Sequence, residues 1–199
     1  MRRVILLRHG RTEANEKWLY CGKTDIPLSP QGREALTAMR IGAEYPRIDG
    51  FSVFTSGLLR AEQTLELLFG SIPRKTAADL REMDFGIFEM RSYEDMKSEP
   101  DYIAWCSGNN EENRCPGGES GLDMTRRVLS AYSELLKTAG DLLIVCHGGP
   151  ISAIMEQEFP DTGKSRYDWQ PKGGCGYLLY YDENKVVNYV EIPRSKAIG

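Results

Sequence analysis

Two short apolar runs, each ending in histidine and glycine, constrain this chain more than any other feature. Residues 5–7 lead into Arg8-His9-Gly10, and Leu142–Cys146 leads into His147-Gly148-Gly149-Pro150. A short apolar run predicts a buried strand, and a glycine directly after it lets the backbone turn tightly and approach a ligand. We therefore expect each imidazole at the carboxyl end of a buried strand, where open α/β sheets bind their ligands.

A single histidine at a strand end is more often a hydrogen-bonded structural residue than a catalyst. This chain has only two histidines, both lie in the same context, and one of them follows Arg8. A metal site would need further cysteine or carboxylate ligands at matching spacing, and the sequence shows none. We therefore expect catalysis by the two histidines, with no metal and no cofactor.

Composition indicates one globular domain spanning residues 1–199. The chain has 199 residues, of which 41% are hydrophobic and 27% charged, enough for a full-sized core. The net charge of -4 and the isoelectric point near 5.4 argue against a nucleic acid or a membrane surface as partner. An anionic ligand would have to be bound by a local basic pocket.

The amino terminus and the cysteines predict a cytoplasmic protein. The first apolar run covers only residues 4–7, too short for a secretory signal or a membrane span. The five cysteines are odd in number and scattered, with no C-x-x-C motif, which is typical of reduced thiols.

The alternation of strand and helix patterns predicts an α/β fold with a mostly parallel sheet. Predicted strands cover residues 2–7, 51–55 and 142–146, and a terminal hairpin covers 177–181 and 186–192. Predicted helices run from the Ser29 cap to about Tyr45, from a Ser56 cap, from Ser120 to Thr138, and from near Pro150. Residues 83–117 predict short helices and loops, a natural insertion to cap the site.

Two imidazoles and an arginine at strand ends, without a metal, suit a phosphoryl group. The guanidinium fork matches phosphoryl oxygens in pairs, and a neutral imidazole can attack phosphorus to give a phosphohistidine. A carboxylate ligand would also bind arginine, but it would not require two histidines.

Four motifs then follow in order along nearly the whole chain. They are Arg8-His9-Gly10-Arg11-Thr12 with Asn15, Thr55-Ser56-Gly57-Leu58-Leu59-Arg60-Ala61 with Thr64, Leu80-Arg81-Glu82 with Phe85-Gly86, and His147-Gly148. Together they resemble the histidine phosphatase, or phosphoglycerate mutase-like, superfamily. The resemblance implies a three-layer fold, with helices on both faces of a mostly parallel central sheet and a small capping insertion.

The resemblance also implies catalytic roles. His9 is then the nucleophile, which requires a neutral ring whose other nitrogen donates, we expect, to a backbone carbonyl. Arg8, Arg60 and a protonated His147 surround the phosphoryl oxygens. Glu82 is the general acid, and the negative charge of a bound phosphate would favour its protonated form.

Further substrate-binding residues are expected around this centre. The amide of Asn15 would donate to a phosphoryl oxygen, although a helix-cap role carries nearly equal weight. Cys21 and Gly22 would contribute mainly through backbone N–H groups, because a thiol is a weak donor. Gly148 leads into the helix predicted from near Pro150, whose positive end would face the same ligand as His147.

Within the superfamily the chain looks most like the α-ribazole phosphatases of cobalamin biosynthesis. The segments that carry this likeness are residues 19–22, 82–91, 102–106 and 195–199. Met90 stands where many relatives have glycine. Arg11 stands where the superfamily usually has glutamate, which changes the rim of the pocket. Trp18, Tyr20, Tyr93, Trp105 and Trp169 are candidates to line a slot for a flat base, although such aromatics more often serve packing.

The sequence therefore favours a metal-independent phosphomonoesterase that acts on a small phosphorylated metabolite, with α-ribazole 5'-phosphate as the favoured substrate. A broad-specificity sugar-phosphate phosphatase and a bisphosphate-dependent phosphoglycerate mutase are the alternative enzymes. A regulatory module that binds a phospho-ligand without turnover is the alternative from another class. A homodimer is left open.

Overall fold

The computed structural model describes residues 1–108 and 111–195. Its strands are β1 (Arg2–Arg8), β2 (Ala43–Glu44), β3 (Ser52–Thr55), β4 (Lys75–Thr76), β5 (Leu142–Cys146), β6 (Gly176–Asp182), β7 (Lys185–Ile192) and β8 (Arg194–Ser195). Its α-helices are α1 (Glu13–Glu16), α2 (Pro30–Gly42), α3 (Leu59–Phe69), α4 (Tyr93–Met96), α5 (Pro100–Cys106), α6 (Gly121–Leu136) and α7 (Gly148–Glu158). Short 3-10 helices cover Ala78–Leu80, Gly86–Phe88 and Pro160–Thr162.

A six-stranded sheet in the order β4-β3-β5-β1-β6-β7 lies at the centre of the fold. Strands β4, β3, β5 and β1 pair in parallel, and the hairpin of β6 and β7 adds two antiparallel strands beyond β1. The predicted α/β fold with a mostly parallel sheet is confirmed.

The two apolar runs form the neighbouring strands β1 and β5. Their register places Val4 opposite Leu142 and Arg8 opposite Cys146, so both strands end at the same edge. The amide of His9 donates to the Cys146 carbonyl at 3.0 Å, which extends the pairing by one residue. His9 and His147 therefore lie side by side, each directly after the end of its strand.

Alternate residues of the central strands enter two separate cores, because side chains in a strand point to opposite faces. Val4, Leu6 and Ile144 join the core that contains residues of α6 and α7. The second core contains Ile5, Leu7 and Leu143, with residues of α2 and α3. Helices thus cover both faces, which gives the expected three layers.

Helix α2 is shorter than the sequence indicates. The prediction that it continues to about Tyr45 is wrong, because Ala43 and Glu44 leave the helix and pair with Ser195 and Arg194. That partner strand lies about 150 residues away along the chain, so the local pattern carries no sign of it.

The prediction that Ser56 caps the next helix is also wrong. Helix α3 begins at Leu59, and its cap position, Leu58, makes no side-chain hydrogen bond. Gly57 takes a positive φ of 76° between Ser56 and the helix, and this turn directs the serine elsewhere.

Residues 83–117 lie between β4 and α6 along the chain. They form short elements, a 3-10 helix followed by α4 and α5. Met96, Tyr102 and Trp105 from these helices pack with Phe88 in the first of the two cores. The Asn109-Asn110 pair of this segment lies outside the described residues, and so do residues 196–199 of the carboxyl-terminal motif.

None of the helices formed by residues 1–108 and 111–195 is long and apolar enough to cross a membrane. All five cysteines are free thiols.

Candidate active site

His9 is buried directly after β1 and held in one orientation. Its Nδ1 lies 2.6 Å from the Gly10 carbonyl oxygen. A carbonyl only accepts, so Nδ1 carries the hydrogen and Nε2 keeps its lone pair. The Gly10 amide in turn donates to Thr64 Oγ1 at 2.9 Å. The contact of Nδ1 with a backbone carbonyl is the one that the sequence predicts for a nucleophilic imidazole.

His147 lies at the end of β5, fully buried, with its ring 4.9 Å from that of His9 between centroids. Its Nε2 lies 2.8 Å from Ser56 Oγ. Its Nδ1 is buried without a hydrogen-bond partner among the described residues. Ser56 is therefore a site residue that sequence reasoning assigned to a helix cap, and the turn at Gly57 is the signal that could have revealed it.

Backbone carbonyls hold the two guanidinium groups of the site. Arg8 donates to the Pro171 carbonyl at 2.8 Å. The side chain of Arg60, 1% exposed, donates to the Thr24 carbonyl at 2.8 Å and to the Gly22 carbonyl at 2.6 Å. Because carbonyls leave the positive charge unneutralised, both groups remain available to an anion.

The backbone N–H of Gly22, expected to contact the substrate, is used within the protein. Its amide donates to the Glu89 carboxylate, at 3.0 and 3.1 Å to the two oxygens, and so does not offer a free N–H group. The same carboxylate accepts from the amides of Lys23, Thr24 and Phe85. Glu89 thus anchors the loop whose carbonyls hold Arg60, a role that the sequence analysis missed.

Close packing explains the glycine at position 22. A Cβ there would lie 1.6 Å from the Met83 carbonyl oxygen, which no side chain tolerates. The neighbouring Cys21 is half-buried, and its thiol lies 3.7 Å from the Thr24 carbonyl. Burial raises the pKa of this thiol, although the charge of Arg60 opposes the shift. Direct binding of substrate by Cys21 and Gly22 stays a prediction.

Asn15 fills the helix-cap role that the sequence left open. Its Oδ1 accepts from the amide of Thr12 at 3.0 Å, and the Thr12 hydroxyl caps α1 in return. The side-chain nitrogen Nδ2 of Asn15 makes no hydrogen bond within residues 1–108 and 111–195. Since Asn15 also lines the cavity in front of His9, that nitrogen remains a candidate donor.

Glu82 lies at the amino terminus of α7, directly beyond His147. Its carboxylate accepts from the Gly149 amide and from the Met83 amide, each at 3.0 Å. It is near enough to Arg8 and Arg60 for its charge to raise their pKa, against the larger lowering by burial. The fold thus brings the carboxyl group to the same centre as the imidazoles.

Glycines 148 and 149 let the helix terminus approach these charged groups. A Cβ on Gly148 would lie 3.2 Å from the guanidinium carbon of Arg8. A Cβ on Gly149 would lie 2.3 Å from Glu82 Oε1. Larger residues would therefore push the arginine or the carboxylate out of place.

Burial and the neighbouring positive charges favour the neutral form of both imidazoles. Burial, followed by the charges of Arg60 and Arg8, holds the pKa of His9 well below 6.5. Burial, followed by His9, Arg60 and Arg8, does the same to the pKa of His147. The protonated His147 of the sequence analysis therefore requires a compensating negative charge, such as that of a phosphoryl group.

Two cavities adjoin the centre and meet at Tyr20, which lines both. The larger, of about 820 Å³, lies in front of His9 and Arg8 and is also lined by Asn15, Trp18 and Tyr93. The smaller, of about 310 Å³, contains Glu82. Its wall combines the large side chains of Tyr20, Met83, Phe85, Trp105, Met124 and Tyr167 with the polar ones of Glu111, Arg166 and Gln170. Both volumes fall in the range of ligand pockets, about 300–1,000 Å³.

The five aromatic residues that are candidates to line a slot for a flat base fall into two groups, one in the core and one at the cavities. Trp169 is fully buried against Phe159, Tyr177 and Tyr189, so it belongs to the core. The other four, Trp18, Tyr20, Tyr93 and Trp105, all line one of the two cavities.

Within the part of the chain that the structure describes, no three His, Cys, Asp or Glu side chains gather into a metal-ligand set. Independence from metals stays a prediction about the reaction.

Comparison with known proteins agrees with this geometry. The model of the histidine phosphatase superfamily (branch 1) matches residues 4–189, and the chain belongs to that superfamily. A relative from Salmonella typhimurium named adenosylcobalamin/alpha-ribazole phosphatase is 32% identical over 180 residues, which cover 87% of each chain. A Salmonella paratyphi C protein named probable phosphoglycerate mutase GpmB is 29% identical over 78% of this chain and 74% of its own.

The solved structures show the same fold. The crystal structure of the alpha-ribazole phosphatase from Shigella flexneri superposes with a TM-score of 0.81 at 28% identity, covering 99% of this chain and 98% of that one. The protein is a phosphatase of the histidine phosphatase superfamily.

The neutral state of the imidazoles predicts a simple NMR result. Because the chain has only two histidines, the native sequence gives two imidazole C2-proton signals. Neither signal should shift as the pH falls from about 8 to about 5.5, since a depressed pKa keeps each ring deprotonated through its ordinary range. Addition of vanadate or phosphate should move the His147 signal toward its protonated position. A midpoint near 6.5 for both rings in the protein alone would contradict this assignment.

Proposed function

We propose that the protein hydrolyses small phosphomonoesters through a phosphohistidine at His9, and that α-ribazole 5'-phosphate is its preferred substrate. The observation that carries the reaction is the fixed tautomer of His9, whose Nδ1 hydrogen is held by the Gly10 carbonyl. This leaves the Nε2 lone pair as a nucleophile beside two guanidinium groups.

In the first half-reaction, His9 Nε2 attacks phosphorus and the bond from phosphorus to the ester oxygen breaks. Arg8, Arg60 and His147 stabilise the charge on the phosphoryl oxygens. His147 takes up a proton from solvent as the negative phosphoryl group binds, and it returns that proton to solvent when inorganic phosphate leaves. The protonated carboxyl of Glu82 transfers its proton to the leaving oxygen, which departs as an alcohol.

In the second half-reaction, water attacks the phosphohistidine. The Glu82 carboxylate takes a proton from the water, the bond from Nε2 to phosphorus breaks, and inorganic phosphate leaves. His9 returns to its neutral form with the hydrogen still on Nδ1, and Glu82 is protonated again for the next turnover. No metal ion takes part in either step.

The smaller cavity supports the choice of substrate. An in-line displacement places the leaving group opposite His9. Glu82, the proposed acid for that group, lines the smaller cavity, so we place the leaving group there. Its aromatic and methionine side chains can pack against a flat base. The arginine in its wall, Arg166, is already paired with Glu111 and Glu156. Relatives named alpha-ribazole phosphatase, which match nearly the whole chain, point to the same substrate.

The role of Glu82 predicts a dependence on the leaving group. Glu82→Gln should slow hydrolysis of an alkyl or ribose phosphate by about 10²-fold or more, the usual scale of general acid catalysis. A nitrophenyl phosphate should lose much less, because nitrophenolate departs without a proton. The comparison requires single-turnover rates on both esters. Equal losses on the two esters would assign Glu82 to binding or to dephosphorylation only.

Substrate preference is tested by kcat/KM measured in the presence of a chelator. We expect α-ribazole 5'-phosphate to exceed ribose 5-phosphate by at least about tenfold, because binding of the remote base positions the phosphoryl group. Equal values would reduce the assignment to a sugar-phosphate phosphatase of broad specificity. Preference for 3-phosphoglycerate with a bisphosphate primer, and isomerisation faster than hydrolysis, would establish a mutase.

The chelator in these assays also tests the metal-free reaction, and loss of all activity on chelation would contradict it.

A further inference from the structure

Glu82 lies in a segment that neither a helix nor a strand holds. The 3-10 helix Ala78–Leu80 ends before it, and residues 81–85 belong to no regular element. The amides of Gly149 and Met83 bind the two carboxylate oxygens, but they do not fix the backbone that carries the side chain. A general acid has to stand within about 3 Å of the oxygen that it protonates. The backbone of this segment must therefore be held from elsewhere in the fold.

Arg127, on helix α6, donates to three carbonyls of this segment. Its Nη1 lies 2.6 Å from the Asp79 carbonyl oxygen and 3.1 Å from that of Arg81, and its Nη2 lies 3.4 Å from the Glu82 carbonyl oxygen. A guanidinium carries five N–H donors in a fixed plane, so a single side chain can bind several carbonyls at once. Arg127 therefore holds the backbone up to and including the residue that carries the acid.

Glu119 orients this guanidinium and holds the other side of the segment. Its Oε1 accepts from Arg127 Nε at 2.9 Å and its Oε2 from Nη2 at 2.7 Å, a paired contact that fixes the plane of the guanidinium. The same Oε2 accepts from the Asp84 amide at 3.0 Å, and the Asp84 carbonyl accepts from the Glu119 amide at 2.8 Å. The two side chains thus bind backbone on both sides of Glu82.

The helix that carries Arg127 is packed against the helix that binds the Glu82 carboxylate. Met124 and Val128 of α6 are buried in the first of the two cores, and so is Ile151 of α7. The amino terminus of α7 supplies the amide that binds the carboxylate. The backbone and the carboxyl group of Glu82 are consequently held by two helices that share one core.

We propose that Arg127 is a positioning residue for the acid: oriented by Glu119, it fixes the backbone that carries Glu82 and so sets the place from which the carboxyl group reaches the leaving oxygen. The inference rests on the proposed function in assigning Glu82 as the acid. Within residues 1–108 and 111–195 no hydrogen bond or ion pair joins the guanidinium to the Glu82 carboxylate. Arg127 also lies outside both active-site cavities, so it acts through the backbone.

The charge of Arg127 has a second, smaller effect on the site. It adds to the lowering of the pKa of His147, after burial and the charges of His9, Arg60 and Arg8. A test of positioning therefore has to separate the charge of Arg127 from its geometry. Lysine keeps the charge but lacks the planar fork that binds several carbonyls, so Arg127→Lys makes this separation.

The test compares the single-turnover rate on ribose 5-phosphate with that on nitrophenyl phosphate. In Arg127→Gln and Arg127→Lys the rate on ribose 5-phosphate should fall about tenfold more than the rate on nitrophenyl phosphate. A displaced acid slows only the ester whose leaving group needs a proton. A native ratio of the two rates in Arg127→Lys would assign the effect to charge and overturn the positioning role.

A double variant separates positioning from general damage to the fold. Glu82→Gln has no acid left to position, so adding Arg127→Gln should cost less than about a further twofold on ribose 5-phosphate. A full additional loss in that background, or equal losses on the two esters in Arg127→Gln alone, would show a structural role and overturn the inference. Equal slowing of both esters by Glu82→Gln itself would instead refute the assignment of the acid, and the inference with it.

The matched control is Arg126→Gln. Arg126 is the neighbouring arginine of the same helix, and its exposed guanidinium lies 4.0 Å from the Asp123 carboxylate, so its loss should leave both rates unchanged. Circular dichroism of each variant establishes that folded proteins are compared.

Glu119→Gln decides the matter if Arg127→Gln does not fold. It leaves the arginine in place but removes one of the two oxygens that orient it, and it should lower the ratio of the two rates about threefold. An unchanged ratio in this variant would overturn the inference.

Discussion

Two buried imidazoles that stay neutral beside two guanidinium groups are the constraint on which the rest of the site depends. Burial and the neighbouring positive charges lower the pKa of His9 and of His147 well below 6.5. A neutral His9 is a nucleophile, whereas a protonated one is not. In the proposed reaction, the same charges that keep His9 neutral also bind the phosphoryl group, so one arrangement activates the nucleophile and attracts the electrophile.

Backbone carbonyls, and not acidic side chains, hold this charge in place. Arg60 donates to the carbonyls of Gly22 and Thr24, and Arg8 to that of Pro171. A carboxylate in these positions would neutralise the cation and weaken its attraction for phosphate. The acidic group that supports the site, Glu89, instead accepts hydrogen bonds from the amides of residues 22–24. It fixes the loop whose carbonyls hold Arg60 and does not contact the guanidinium by a hydrogen bond.

Much of this centre could be predicted from the sequence because it depends on local patterns. The apolar runs that end in His-Gly predict buried strands, and the alternation of strand and helix patterns predicts that the sheet is mostly parallel. Parallel strands in register then bring His9 and His147 together. The contact of Ser56 with His147 spans 91 residues, and that of Glu89 with Gly22 spans 67. Such contacts depend on the packing of distant segments, which local pattern does not contain. The same holds for the pairing of Ala43 and Glu44 with residues 194 and 195.

The start of α3 shows tertiary structure overriding a local capping preference. Ser56 is a good cap by type, but the positive φ of Gly57 separates it from α3 and leaves its hydroxyl to the buried imidazole. Ser56 is fully buried, so water cannot replace its hydroxyl as the partner of the imidazole.

The central claim is that the phosphoryl group passes through His9 Nε2. The most direct measurement is rapid acid-free quenching of the enzyme during turnover, followed by mass spectrometry of the peptide that contains His9. We expect a phosphoryl group on His9 that is stable to alkali and lost in acid, and none in His9→Asn. Full turnover by His9→Asn, or a phosphoryl group on any other residue of the native enzyme, would contradict it.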